Sequence, residues 1–287
     1  YAHLIENLNR GGARLIVFDV EFTEPSFGRL KQDTLLYNAV MKYQNVLLAA
    51  KTHASEGVFS AQSLLLPLPH MDLPVEYAGL IDVYNDSDGF NRRATHYQIF
   101  GDTQYLSISL KALRFLYQQE NKDYTFREDA HTLAIGETVI PKFTRNSSLI
   151  NFYGPANTFS YYSLVSVLDD ERFETNLETE IGMPLDLFNE YLQDGVFQDK
   201  IIFIGATIPE LHDLKATPFI EYQGTRQFMP GVEIHASFMA NLLDENFLGE
   251  SPFWVNWILI FVFAFVAVFS ILMGLHWLHF VGFAVWA

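Results

Sequence analysis

The apolar positions of this chain first gather in short, consecutive, partly β-branched runs. Leu15 to Val20 (LIVFDV) reads as a strand buried on both faces, because it shows no alternation with polar residues. A turn at Pro25-Ser26 follows, then a helical period from Lys31 to Tyr43 and a second apolar strand from Asn45 to Ala50. Strand, helix and strand in that order predict a right-handed parallel crossover unit. Lys200 to Gly205 (KIIFIG) is another buried strand, and Val232 to Asp244 has the spacing of an amphipathic helix. Between these lie a strand at Gly79 to Val83, a turn at Asn85 to Gly89, a polar strand from Ala94 to Phe100 and a helix from Leu106 to Gln119. Shorter strands near Leu133 and Leu149 follow, with helical pieces at Ser163–Leu168 and Leu185–Asp194. The acidic stretch from Asp169 to Glu180 has few apolar anchors and is expected to be an exposed insertion or mobile loop. The fold class is therefore α/β, with a mixed, partly parallel sheet flanked by helices.

The pattern changes after Ser251, where no Asp, Glu, Lys or Arg occurs again. Phe253 to Met273 is uncharged and, at about 1.5 Å rise per residue, long enough to cross the roughly 30 Å of hydrocarbon in a bilayer. Pro252 suits a first helical turn, and Trp254 and Trp257 suit the headgroup level. A buried helix of a soluble core is the alternative, although such helices seldom stay apolar on every face for so long. Gly274 allows a break, and Leu275 to Ala287 begins a second apolar run. The expected organisation is a folded domain over 1–251, a transmembrane helix over 252–274, and the start of a further all-α span over 275–287. Tyr1 to Gly12 looks like the end of a helix with Leu4, Ile5 and Leu8 on one face, so the chain is expected to be part of a longer protein.

The formal charge of −16 belongs entirely to residues 1–250. An acidic globule without a Lys/Arg stripe repels phosphate backbones, which argues against nucleic acid as a partner. Zero cysteines exclude disulfides, zinc-thiolate sites and thiol catalysis in these residues.

Candidate chemistry gathers where strands end, since parallel sheets collect ligands outside their carboxyl ends. Asp19 and Glu21 close the first strand, His212-Asp213 follows the 200–205 strand, and Glu233 and His235 open the next helix. Asp19, Glu21, Asp213 and His235 form a candidate oxygen-and-imidazole site for a hard divalent cation. The competing reading is that they cap helices and satisfy loop backbone, as no fixed metal-ligand spacing is present. Arg92, Arg93 and His212 are candidate ligand-binding side chains, the arginine pair either meeting an anion or pairing with neighbouring carboxylates. Asn85 to Gly89 lacks the glutamate of a calcium loop, and Gly205-Ala206-Thr207 lacks the rest of a phosphate loop. No G-x-S-x-G elbow or H-E-x-x-H helix is present, so no catalytic motif marks the chain as an enzyme.

Four blocks carry a family resemblance: GARLIVFDVEFTEPS from Gly12, GLIDVYNDSDGFNRR from Gly79, DKIIFIGATIPELHDLKATPF from Asp199, and MPGVEIHASFMANLLDENFL from Met229. Together they resemble the type-two CHASE domain, a sensory extracellular module associated with cyclases and histidine kinases. The resemblance implies an extracytoplasmic sensor over 1–251, in a multi-pass protein of the bacterial inner membrane. It further implies a cytoplasmic output, foremost a class III adenylate or guanylate cyclase that would carry its own Mg or Mn, otherwise a Ser/Thr or histidine kinase. The expected partners are the lipid bilayer, a second copy in a homodimer and an unidentified extracytoplasmic ligand. Two readings compete with it: a membrane-anchored periplasmic hydrolase using a divalent cation at the strand-end acids, and a ligand-free dimerisation module.

Overall fold

The computed structural model describes residues 1–28, 30–54, 62–208 and 213–286. They divide into two compact units, Tyr1–Leu248 and Gly249–Ala287. In chain order the first unit starts with α1 (Ala2–Arg10), β1 (Leu15–Asp19), α2 (Leu30–Tyr43), β2 (Val46–Ala54), β3 (Gln62–Leu65) and β4 (Ala78–Leu80). Three short strands, β5 (Arg93–Thr95), β6 (Tyr97–Phe100) and β7 (Thr103–Leu106), precede α3 (Ile108–Gln119). Strands β8 (Phe126–Glu128), β9 (Thr132–Ile135), β10 (Thr138–Pro141) and β11 (Ser147–Leu149) lead to α4 (Leu164–Leu168), α5 (Asn176–Ile181) and α6 (Leu187–Gln193). Last come β12 (Ile201–Gly205), β13 (Leu214–Lys215), β14 (Glu221–Tyr222), β15 (Thr225–Arg226), β16 (Met229–Pro230) and α7 (Gly231–Asp244).

The principal sheet is mixed. β12, β1, β2 and β4 run parallel, with Leu15 opposite Ile201, Ile16 opposite Val46 and Leu48 opposite Ala78. β3 pairs antiparallel with the distal half of β2, Lys51 opposite Leu65. Leu15, Ile16, Val17 and Phe18 are all fully buried, as their unbroken apolar run demands. Because side chains alternate, Leu15 and Val17 enter a core shared with α3 and α7. Ile16 and Phe18 enter a second core beneath α1, α2 and α6. The sheet is thus a middle layer with helices on both faces.

Close approach of helix to sheet depends on two glycines. A Cβ on Gly79 would lie 2.7 Å from the Ile108 Cα, and one on Gly205 would lie 2.6 Å from the Val232 Cβ. Neither glycine has a positive φ, so contact distance and not backbone freedom is the reason for them.

The polar strand expected over 94–100 is two strands, β5 and β6, interrupted at His96. The His96 ring is fully buried and its Nε2–H donates to the Ser148 hydroxyl at 2.7 Å, which itself donates to the Pro141 carbonyl. The acidic stretch 169–180 is exposed over much of its length, as expected, but it is anchored and partly helical. Asp169, Asp170 and Glu178 are buried, and a capping box between Thr175 and Glu178 starts α5. Asp170 accepts from His3 and Arg10 of α1 and from Arg172; burial alone would raise its carboxyl, but the Arg172 hydrogen bonds and charge, with His3 beside it, hold it down to about 2. His3 and Arg10 lie 167 and 160 residues away in sequence, so local composition could not announce this anchoring.

The second unit is a helix, α8 (Phe253–Trp286), of which Phe253–Gly274 is long and apolar enough to cross a membrane and is not buried against other protein. Gly274 does not interrupt it; a single helical glycine costs only about 1 kcal/mol relative to alanine, too little to break so long an apolar run.

Candidate functional site at the strand ends

The parallel strands all point their carboxyl ends to one edge of the sheet, and the polar residues that follow them meet there. β1 turns to β2 on one side while β12 lies on the other, so the order switches direction at β1. A crevice at such a switch point is where open α/β sheets hold ligands.

Asp19 ends β1 at this point and is half-buried, its Oδ2 enclosed with no hydrogen-bond partner. Burial is the largest influence and pushes its carboxyl above the usual carboxylate range. His235 and Lys51 pull it back, while Asp213 and Glu21 add to the rise, which places all four close enough to be felt. Lys51, on β2, pairs with Glu21 at 2.5 Å. That contact, with Asp82 and Asp213 nearby, holds the ammonium in its charged form. Asp82 follows β4 and accepts from the Thr52 amide and hydroxyl, the latter at 2.8 Å; its carboxyl too is raised by burial.

α7 supplies the other wall. The Nε2–H of His235 donates to the Ile81 carbonyl at 3.2 Å, and the His235 carbonyl accepts from Ser109 at 2.9 Å. Glu233, buried in the first turn of α7, accepts from the amides of Asn157 and Thr158 and from the Tyr161 hydroxyl at 2.7 Å. The Asp213 carboxylate pairs with Lys215 at 3.2 Å and lies so close to Gly231 that any side chain there would strike it.

Asp19, Glu21, Asp213 and His235 therefore share one region, as their strand-end positions predict. Among the described residues, however, no three of the His, Asp or Glu side chains converge closely enough to hold a metal ion. Lys51 supplies positive charge amid the carboxylates. Lys51 and Asp82 belong to the cluster without having been singled out in the sequence, although both follow apolar runs and the strand-end rule extends to them. His212 lies outside the described residues. Arg92 is held by Asp86 and by both oxygens of Asp88, and Arg93 by Asp86. Arg93 nonetheless reaches the site from behind. With Asp82, Ser107, Ser109 and His235 it lines a cavity of about 10 Å³, room for about one water molecule. Ser107 keeps an enclosed hydroxyl without a protein partner.

Chemically this is a mixed-charge cluster that runs from the half-buried Asp19 and buried His235 to the exposed Lys51 and Glu21. Placing a donor, a proton or a charged group beside Asp19 would redistribute that charge, and α7 touches it directly.

The sequence model of the CHASE2 domain matches residues 1–274, and the chain belongs to the CHASE2 family, sensory extracellular domains found in cyclase and kinase receptors. Neither a curated protein nor a solved structure matches it.

Proposed function

We propose that residues 1–251 are the extracytoplasmic sensor of a multi-pass inner-membrane receptor, with the strand-end cluster as its input and α7 as its transmitter. The observation that carries this reading is the path of α7. Its first turns bear Glu233 and His235, which are bonded into the site, and it ends at Asp244, a short step before α8 begins at Phe253. Fourteen residues at about 1.5 Å each make a rod of about 21 Å.

In this reading two copies associate, and an occupant that favours one packing of the pair moves the attached membrane helices. The cytoplasmic output is a class III adenylate or guanylate cyclase, whose activity follows the relative position of two catalytic domains; a Ser/Thr or histidine kinase could be driven by the same movement. The occupant must prefer one of two arrangements, because a ligand with equal affinity for both shifts nothing.

The test is a Gly-Gly insertion after Gly249 in the full-length receptor, with cyclic nucleotide production assayed in native membranes. Loss of regulation with basal production retained is the expected result. Unchanged regulation would refute rigid coupling through this link.

A further inference from the structure

β12 is the outermost strand of the principal sheet and is paired on one edge only, with β1. Edge strands normally carry a device that prevents further pairing, such as a lysine, a proline or a bulge. β12 has the sequence IIFIG, carries none of these, and every one of its residues is partly open. The Leu15 amide bonds to the Lys200 carbonyl, so by the alternation of a parallel ladder Ile202 and Ile204 face β1. The amides and carbonyls of Ile201 and Phe203 therefore point away from it, and among the described residues they have no backbone partner.

They open into a groove of about 780 Å³, within the range of small-ligand sites. The segment leading through Tyr161 and Tyr162 to the start of α4 at Leu164 also lines it, fastened to the first turn of α7 by the hydrogen bonds of Asn157, Thr158 and Tyr161 to Glu233.

The two ends of the groove differ in charge. Lys200 lines it beside Ile201, and Glu233 lines it at the Gly205 end, where Val232 meets the strand. A free peptide running antiparallel to β12 would set its carboxylate at Lys200 and its ammonium toward Glu233. Five residues of β12 at about 3.3 Å each give about 16 Å of edge.

We propose that this groove binds a short extended peptide with free termini, about four to six residues long, as an added antiparallel strand on β12. The inference rests on the sensor reading and gives its ligand a chemical class. Binding is measured without any output, so a peptide that binds yet leaves the output unchanged would overturn the coupling and leave the groove standing.

The experiment uses the full chain in detergent micelles and a pool of random pentapeptides with free termini, followed by affinity selection and mass spectrometry. Selected peptides should bind below about 1 mM, and should slow amide exchange at Ile201 and Phe203 at least tenfold. N-methylation of alternate peptide amides should abolish binding. Lys200→Glu should weaken free-carboxylate peptides at least tenfold and leave C-terminally amidated ones nearly unaffected. The proposal is overturned if no peptide is retained, or if N-methylated peptides bind equally well. It is equally overturned if Ile201 and Phe203 are already protected without peptide, which would mean that a second copy or another part of the chain fills the edge.

Discussion

At the scale of single residues, the chain places a costly group where it has most influence. Asp19 has a raised carboxyl pKa in the folded state, with burial as the leading cause. A raised folded pKa means that the contribution to stability is complete below the unfolded value, near 4, and is lost as pH rises through the folded value. At neutral pH the Asp19 charge therefore works against the fold. Asp19→Asn is expected to raise stability by about 0.5–2 kcal/mol at pH 7, with the gain vanishing below about pH 4, where the wild-type carboxyl is neutral. Thermal unfolding of both forms across that range checks it; an equal gain at every pH would show that the charge is not the cause. The same variant should lose regulation, since sites built for exchange often sacrifice stability for function. Part of this was legible beforehand. Asp19, Glu21, Asp213 and His235 were reachable from strand ends alone, whereas no local pattern announces that one oxygen of Asp19 is enclosed without a partner.

At the scale of elements, the sheet and its helices were legible because their apolar runs are long and uninterrupted. β1, β2, β12, α2 and α7 fall where periodicity put them, and the parallel pairing follows from chain order. The anchoring of 169–180 has the opposite origin: Asp170 is buried against His3 and Arg10 brought from α1, a tertiary cause that composition cannot carry. Close packing gives a sharp prediction here. Gly79→Ala would drive a methyl into the Ile108 backbone at the start of α3, which has no flexible tip to yield. Overpacking of this kind costs about 1–3 kcal/mol. Chemical denaturation should show that loss with an unchanged denaturant dependence; an unchanged midpoint would mean that α3 is free to lift off the sheet.

At the scale of the whole molecule, charge and oiliness are divided along the chain. The acidic excess lies in the α/β unit and α8 carries none of it, which suits one part to water and the other to lipid. Phe263→Arg, at the middle of the candidate span, should raise the cost of insertion by about 2.5–3.5 kcal/mol and shift the chain from the membrane fraction to the soluble or aggregated one. An unchanged inserted fraction when Phe263→Arg is placed in the isolated 253–274 segment would remove the case for a span. The hydrogen bonds of Glu233 have a further consequence at this scale. One carboxylate both opens α7 and clamps the segment around Tyr161, so a pull on the rod from its far end strains the clamp, and a wedge beneath the clamp tugs the rod. Binding free energies are reciprocal. In the proposed receptor, anything that bears on the membrane anchor, such as bilayer thickness or tension, should consequently retune the sensor's appetite for its guest, so that it would report on the lipid as well as on the solute.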